Sequence, residues 1–203
     1  MFTIFAIFGI IILLLVYLRF IRPWQHRWGA TNDEVARSMP GDELVSSPTF
    51  NATRAVTINA RPEAIWPWLV QIGFGRAGWY SYDWIDNLGK PSANQIMSEW
   101  QDLKVGDKVY LSQWTFETVR HIEVFRNMLW VGGESAATAG TWAWGLYPMN
   151  EHQTRLVTRL RGKYNWASPW IVLLLVVDTL DIVMMRRCLL GIKERAEKQN
   201  DQR

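Results

Sequence analysis

Cysteine is nearly absent from this chain, with one thiol, Cys188, in 203 residues. A disulfide framework or a thiolate metal cluster needs several, so neither is expected. Histidine is scarce as well: His26, His121 and His152 lie far apart in different contexts, and none sits in a nucleophile motif. No HExxH, no CxxC, no phosphate-binding P-loop and no GxGxxG following a strand occurs. No cofactor and no metal is therefore expected. A charge block of one sign is also missing. Lys and Arg total 22 against 19 acids, for a formal net charge of +3, and the two signs interleave. Neutralising phosphates takes a concentrated basic face, so nucleic acid is not the expected partner.

What the chain does have is apolar and aromatic surface: 49% hydrophobic residues and 13 tryptophans. Residues 2–21 read FTIFAIFGIIILLLVYLRFI, with Arg19 as the only charge. About 20 apolar residues at a rise of about 1.5 Å match a hydrocarbon core of about 30 Å. A signal peptide would carry positive charge before a shorter run and small residues at a cleavage site; these marks are missing. An uncleaved single-pass anchor over residues 1–22 is expected, with lipid as partner through residues 2–21. Arg19, Arg22 and Arg27 flank its C-terminal end, so the positive-inside rule places the following domain in the cytoplasm, tethered to the cell membrane. Trp24 and Trp28 suit the interfacial belt.

Residues 23–49 read as a juxtamembrane linker with one short helix, opened by the capping box Thr31-Asn32-Asp33-Glu34. A folded domain is expected over 50–198 and a polar tail over 199–203. Residues 50–59 alternate as a first strand, with Arg54, Val56 and Ile58 on one face. Pro62 and Glu63 suit a helix start. Ile65, Trp68, Leu69 and Ile72 then form one buried stripe, Pro67 should kink the helix, and Gly73 ends it. A second short helix is expected near 94–100. Strands follow at 108–112, 115–125, 128–131, 141–147 and 154–162, with a small-residue loop over 132–140. In the last strand Leu156 and Leu160 oppose Arg155, Arg159 and Arg161, which implies one packed and one wet face. Leu173, Val177, Leu180, Met184, Cys188 and Ile192 recur at helical spacing and predict the buried stripe of a long C-terminal helix. Asp178 and Asp181 argue against a second membrane span there, each costing about 2.5 to 3.5 kcal/mol near the bilayer centre.

The most distinctive stretch is 75–89, GRAGWYSYDWIDNLG. Trp79, Tyr80, Tyr82 and Trp84, with Phe74 just upstream, crowd around Asp83. Tyr and Trp combine a large apolar body with one polar tip, so such a run suits the mouth of an apolar cavity. Ordinary core packing is the plainer alternative.

Strand, helices, antiparallel strands and one long helix make up the helix-grip order, an α+β fold in which a curved sheet wraps a C-terminal helix. The pieces WGATNDEVARSMPGDELV, PEAIWPWLVQIGFGRAGWYSYDWIDNLG, EWQDLKVGD and LLGIKERAE resemble a bacterial, membrane-anchored branch of the SRPBCC superfamily, which includes START, Bet v 1 and polyketide-cyclase-like proteins. The resemblance covers residues 28–197. It implies a cavity between sheet and helix and says little about chemistry, because one fold serves carriers, receptors and cyclases.

The candidate ligand-binding residues are Trp79, Tyr80, Tyr82, Asp83, Trp84, Trp114, Phe116, Trp130, Trp142, Trp144 and Met184. Asp83 is the candidate acid, with a turn cap or a pair with Arg76 as the plainer role. Arg161 is either an exposed strand residue or a partner for an acidic head group. Cys188 reads as a small core hydrophobe. The expected function is tethered binding or transfer of a hydrophobic small molecule such as a lipid, quinone or polyketide. A cyclase or dehydratase using Asp83 with Tyr80 or Tyr82 is the alternative, and a regulatory partner of another membrane protein a third.

Overall fold

The protein is represented by a computed structural model, which describes residues 2–133, 140–163, 167, 169 and 171–200. Helix α1 (Phe2–Val16) continues through a π-helical stretch, Tyr17–Ile21, into α2 (Arg22–His26). Pro23 falls in the first turn of α2. Within this continuous helix, Phe8–His26 is long and apolar enough to cross a membrane, and almost none of it is covered by the rest of the chain. A core helix of the same composition would be buried.

The short helix α3 (Asn32–Ala36) opens with the expected capping box. Thr31 Oγ1 accepts the Glu34 N–H at 3.2 Å, and Glu34 Oε2 accepts the Thr31 N–H at 2.8 Å. Then come β1 (Phe50–Ile58), α4 (Pro62–Val70), α5 (Asp83–Asp86) and a 3-10 turn at Ser98–Trp100, where a longer helix was expected. Strands β2 (Lys108–Tyr110), β3 (Phe116–Glu123), β4 (Asn127–Gly132), β5 (Gly140–Pro148) and β6 (Thr154–Gly162) lead to the 30-residue helix α6 (Ile171–Asn200). Positions 134–139 of the expected small-residue loop and 201–203 of the tail lie outside the described residues.

The six strands form one antiparallel sheet in the order β1-β6-β5-β4-β3-β2, with a bulge between Val119 and His121. Helices α4 and α6 cover its inner face. The expected α4 stripe, Ile65, Trp68, Leu69 and Ile72, is buried there with Trp130, Trp142, Trp144, Leu156, Leu189 and Ile192. The fold is α+β in the helix-grip arrangement.

Two expectations are corrected. The arginine-rich face of β6 is not wet. Residues 30–48 lie over it: Arg155 pairs with Glu34 at 2.7 Å, and Arg159 and Arg161 pair with Asp42 at 2.6 and 2.7 Å. Arg159 also donates to the carbonyls of Glu34, Val35 and Arg37, so a buried guanidinium has its donors met. Arg161 is neither exposed nor aimed at a head group inside the cavity.

The second correction concerns α6. Asp178, Ile182, Met185, Leu189, Ile192 and Ala196 form its buried stripe, while Val177 and Leu180 are exposed. The reason is electrostatic. Asp178 Oδ2 accepts from Arg22 Nε and Oδ1 from His26 Nε2, both at 2.7 Å, and Asp181 Oδ2 accepts from Arg54 Nη1 at 2.6 Å. These pairs turn the acidic edge of the helix inward, because a buried carboxylate needs its partner more than a valine needs cover.

Candidate functional site

The aromatic segment follows α4 through the turn GFGRAG. Its letters match the GxGxxG spacing of a dinucleotide-binding loop, without a preceding strand. The context differs: the turn follows a helix, and Gly73 and Gly78 bridge to each other in an antiparallel pair. A Cβ on Gly78, at φ +79°, would stand 2.4 Å from Ser92 Oγ, so the glycine serves chain crossing. The turn delivers Trp79 and Tyr80 into the space between sheet and α6.

A cavity of about 330 Å³ opens there. The aromatic segment contributes Trp79 and Ser81, α5 contributes Asp86, and Leu111 lies just past β2. Trp142 of β5 forms the sheet wall, and α6 supplies Val177, Leu180, Asp181, Met184, Met185 and Cys188. The indoles of Trp79 and Trp142 stack with centroids 5.5 Å apart and planes 2° apart. Trp142 in turn stacks on Trp144 at 5.1 Å and meets Trp130 edge-on at 5.3 Å. Its Nε1 donates to Thr158 Oγ1 at 2.8 Å, so this ring is fixed before any ligand arrives.

Of the residues expected at a site, Trp79, Trp142 and Met184 line this cavity. Trp130 and Trp144 are buried behind Trp142. Tyr80 is buried beside it, but its hydroxyl is engaged: it accepts from Gln71 Nε2 at 2.8 Å and donates to the Trp68 carbonyl at 3.2 Å. Burial pushes its phenol well above the usual range. Asp83 holds a loop together, its carboxylate accepting the N–H and hydroxyl of Ser92. Arg76, the other proposed partner of Asp83, instead donates to the Val70 and Trp100 carbonyls. Tyr82, Trp84, Trp114 and Phe116 are exposed. Phe116 carries Lys108 Nζ 4.1 Å above its ring on the sheet's β2–β3 edge.

Four polar features mark the cavity wall, and of their residues Asp86 and Ser81 were not among those expected at the site. Asp86 lines the wall, and neither of its buried oxygens has a hydrogen-bond partner among the described residues. Burial, helped by the neighbouring Asp83 charge, pushes its carboxyl up to about 6. Its signal was present: on a helix opening at Asp83, position i+3 returns to the same face. Trp79 Nε1 is likewise an unpartnered buried donor. Ser81 is engaged, its hydroxyl donating to the Met184 carbonyl at 3.1 Å. Asp181 was legible as a charge in need of a partner, and Arg54, on the inward face of the first strand, is that partner.

Cys188 is buried, and burial raises its thiol pKa far above the ordinary value, which leaves it protonated and inert. No cluster of three or more potential metal-ligating side chains forms among the described residues. The cavity can enclose an apolar body; the oxygens of Asp86 and the Nε1 of Trp79 are buried within its wall.

These features define an apolar-cavity protein of the helix-grip type. Among solved structures, the chain is similar to a polyketide-cyclase-like protein from Corynebacterium glutamicum, at 13% identity and TM-score 0.48 over 75% of this chain and 94% of that one. It is also similar to a START superfamily protein from Mycobacterium smegmatis, at 13% identity and TM-score 0.43 over 71% and 97%. The Aha1 dimer from Colwellia psychrerythraea is similar at 16% identity and TM-score 0.43 over 73% and 97%. Likeness at this level is too loose to assign a ligand or an activity. No family model and no curated protein matches the sequence.

Proposed function

We propose that the chain is a membrane-tethered protein that binds or transfers a hydrophobic small molecule, a lipid, isoprenoid quinone or polyketide-like compound, in the cavity between sheet and α6. The observation that carries this reading is the stacked Trp79–Trp142 wall facing the apolar side of α6 around about 330 Å³ of space. That volume lies at the lower end of the range for small-molecule sites, about 300 to 1,000 Å³. Residues 1–22 serve as the anchor, residues 23–49 link it to the helix-grip domain of residues 50–198, and that domain lies on the cytoplasmic side by the Arg19, Arg22 and Arg27 bias.

Native mass spectrometry of the full chain extracted from membranes in detergent tests the reading. The expected result is an apolar species bound one to one, displaced by a fluorescent apolar probe. A protein that carries nothing and shows no saturable uptake of such a probe would overturn it.

Asp86 favours a second reading, an enzyme of cyclase or dehydratase type. An unpartnered carboxyl with a pKa of about 6 in an apolar wall suits acid–base chemistry near neutral pH. In this form the acid is Asp86, since Asp83 and Tyr80 are held by Ser92, Gln71 and Trp68. Turnover of the bound species, lost in Asp86→Asn with binding kept, would establish the enzyme.

A further inference from the structure

The cavity is bordered by apolar side chains that none of the described residues covers. On α5, which carries Asp86 of the wall, Trp84 is 76% exposed and Ile85 is exposed beside it, as is Leu88 just past the helix end. On α6, Val177 and Leu180 line the cavity and are nevertheless 52% and 55% exposed. Val176, Leu180 and Val183 recur at i, i+4 and i+7, so they form a stripe facing away from the buried Asp178, Ile182 and Met185. Such a concentration around one opening marks a contact surface.

The same half of α6 is fastened to the N-terminal helix. Tyr17 Oη and Thr179 Oγ1 lie 2.6 Å apart, and Arg22 and His26 both bond Asp178. The exposed stripe therefore begins beside the polar end of the apolar helix, where Arg19 and the exposed Phe20, Ile21 and Trp24 fall. A helix that crosses a bilayer and is pinned at this point brings the start of α6 to the level of the head groups. An amphipathic segment with its apolar side free is suited to lie in that interface. A water-facing position would instead leave Trp84, Leu180 and three valines exposed with no gain.

We propose that the collar formed by α5 and the first half of α6 seats on the lipid bilayer, so that the cavity mouth opens into the membrane interface instead of into water. An apolar ligand then passes between acyl chains and the Trp79–Trp142 wall without crossing the aqueous phase. The inference rests on the proposed cavity function for its purpose, but on the exposed collar and the anchor contacts for its geometry.

The test uses the full chain in phosphatidylcholine nanodiscs, with an environment-sensitive maleimide dye on Leu180→Cys, on Trp84→Cys and, for comparison, on Glu43→Cys of the segment covering the outer sheet face. The native Cys188 stays, because its buried, protonated thiol takes no label; the unsubstituted chain checks this. Docking predicts blue-shifted emission at 180 and 84, loss of intensity with nitroxide-bearing lipid, and protection from aqueous iodide. Glu43→Cys should show the reverse. Iodide quenching at 180 and 84 without any effect of the lipid quencher would overturn the proposal, as would protection from both quenchers with dye-to-dye transfer between copies, which would mean a protein partner. Saturable uptake of an apolar probe is measured on the same samples. Uptake with a water-exposed collar sinks the docking alone, and lipid contact without uptake sinks the cavity reading alone.

Discussion

Trp79 and Trp142 come from segments more than sixty residues apart, yet their indoles lie parallel, 2° between planes and 5.5 Å between centroids. One ring is delivered by a glycine turn and the other by a strand, so the stack ties the aromatic segment to the sheet and makes it a wall of the cavity. Trp142 is fixed by Thr158, whereas the Nε1 of Trp79 has no partner among the described residues. Trp79→Ala should weaken binding of a fluorescent apolar probe about tenfold or more, since a ring face against an apolar ligand contributes on the order of 1 to 3 kcal/mol. Core loss costs stability as well, about 3 to 5 kcal/mol. Affinity is therefore measured on the folded fraction, beside Trp79→Phe, which should bind more tightly than Trp79→Ala. Equal affinity in the two variants and the parent would place the ring in the core and not at the ligand.

Asp86 sets a pH dependence. Its folded pKa of about 6 stands above the unfolded value of about 3.9. An acid raised in this way binds more protons folded than unfolded between those values, so its contribution to stability falls as pH rises from about 4 to about 6 and stays low above that. Asp86→Asn should raise the thermal midpoint at pH 7 relative to the parent, with the difference vanishing below about pH 4. Neutral probes should also bind the parent more tightly at pH 5 than at pH 7. A variant whose midpoint tracks the parent across this range would mean that the carboxylate finds a partner in solution.

Asp178 joins the N-terminal helix to α6 through Arg22 and His26. Removing one side of a buried ion pair typically costs about 3 to 5 kcal/mol, because the remaining charge loses its compensation. Asp178→Asn keeps the shape and should lower stability toward the smaller figure, with greater protease access at residues 22–27. Thermal unfolding and limited proteolysis in detergent check both. An unchanged pattern would mean that the helix packs elsewhere.

Gly191 passes under the Tyr80 backbone: a Cβ there would stand 2.2 Å from the Tyr80 carbonyl oxygen. Tyr80 itself sits at φ +56°, an unfavourable region for a non-glycine residue. Alanine in a helix normally gains about 1 kcal/mol over glycine. Here the backbone would have to move, and overpacking of this kind costs about 1 to 3 kcal/mol. Gly191→Ala should therefore be net destabilising in urea unfolding, while Gly162→Ala, with nothing near its Cβ position, should not carry the clash penalty. A stabilised Gly191→Ala would show that the segment at Tyr80 yields easily.

The sequence by itself determined what depends on local period and composition. The capping box at Thr31, the stripe of α4, the existence of β5 and β6 as strands and the apolar stretch at the N-terminus were legible because helix and strand spacing sort side chains without reference to distant residues. The inward face of Arg54 was also legible. Which charge it would meet was not, because Asp181 lies 127 residues away. The same limit explains α6. Its hydrophobic period suggested Val177 and Leu180 as core, but Asp178 and Asp181 turn inward once Arg22, His26 and Arg54 are assembled around them. The aromatic segment divides in the same manner. Its contiguity announced something unusual, yet only the tertiary structure sent Trp79 into the cavity, tied Tyr80 to Gln71 and Asp83 to Ser92, and left Trp84 outside. A residue's neighbours along the chain fix which way it points on its own element; what stands opposite depends on how the elements come together.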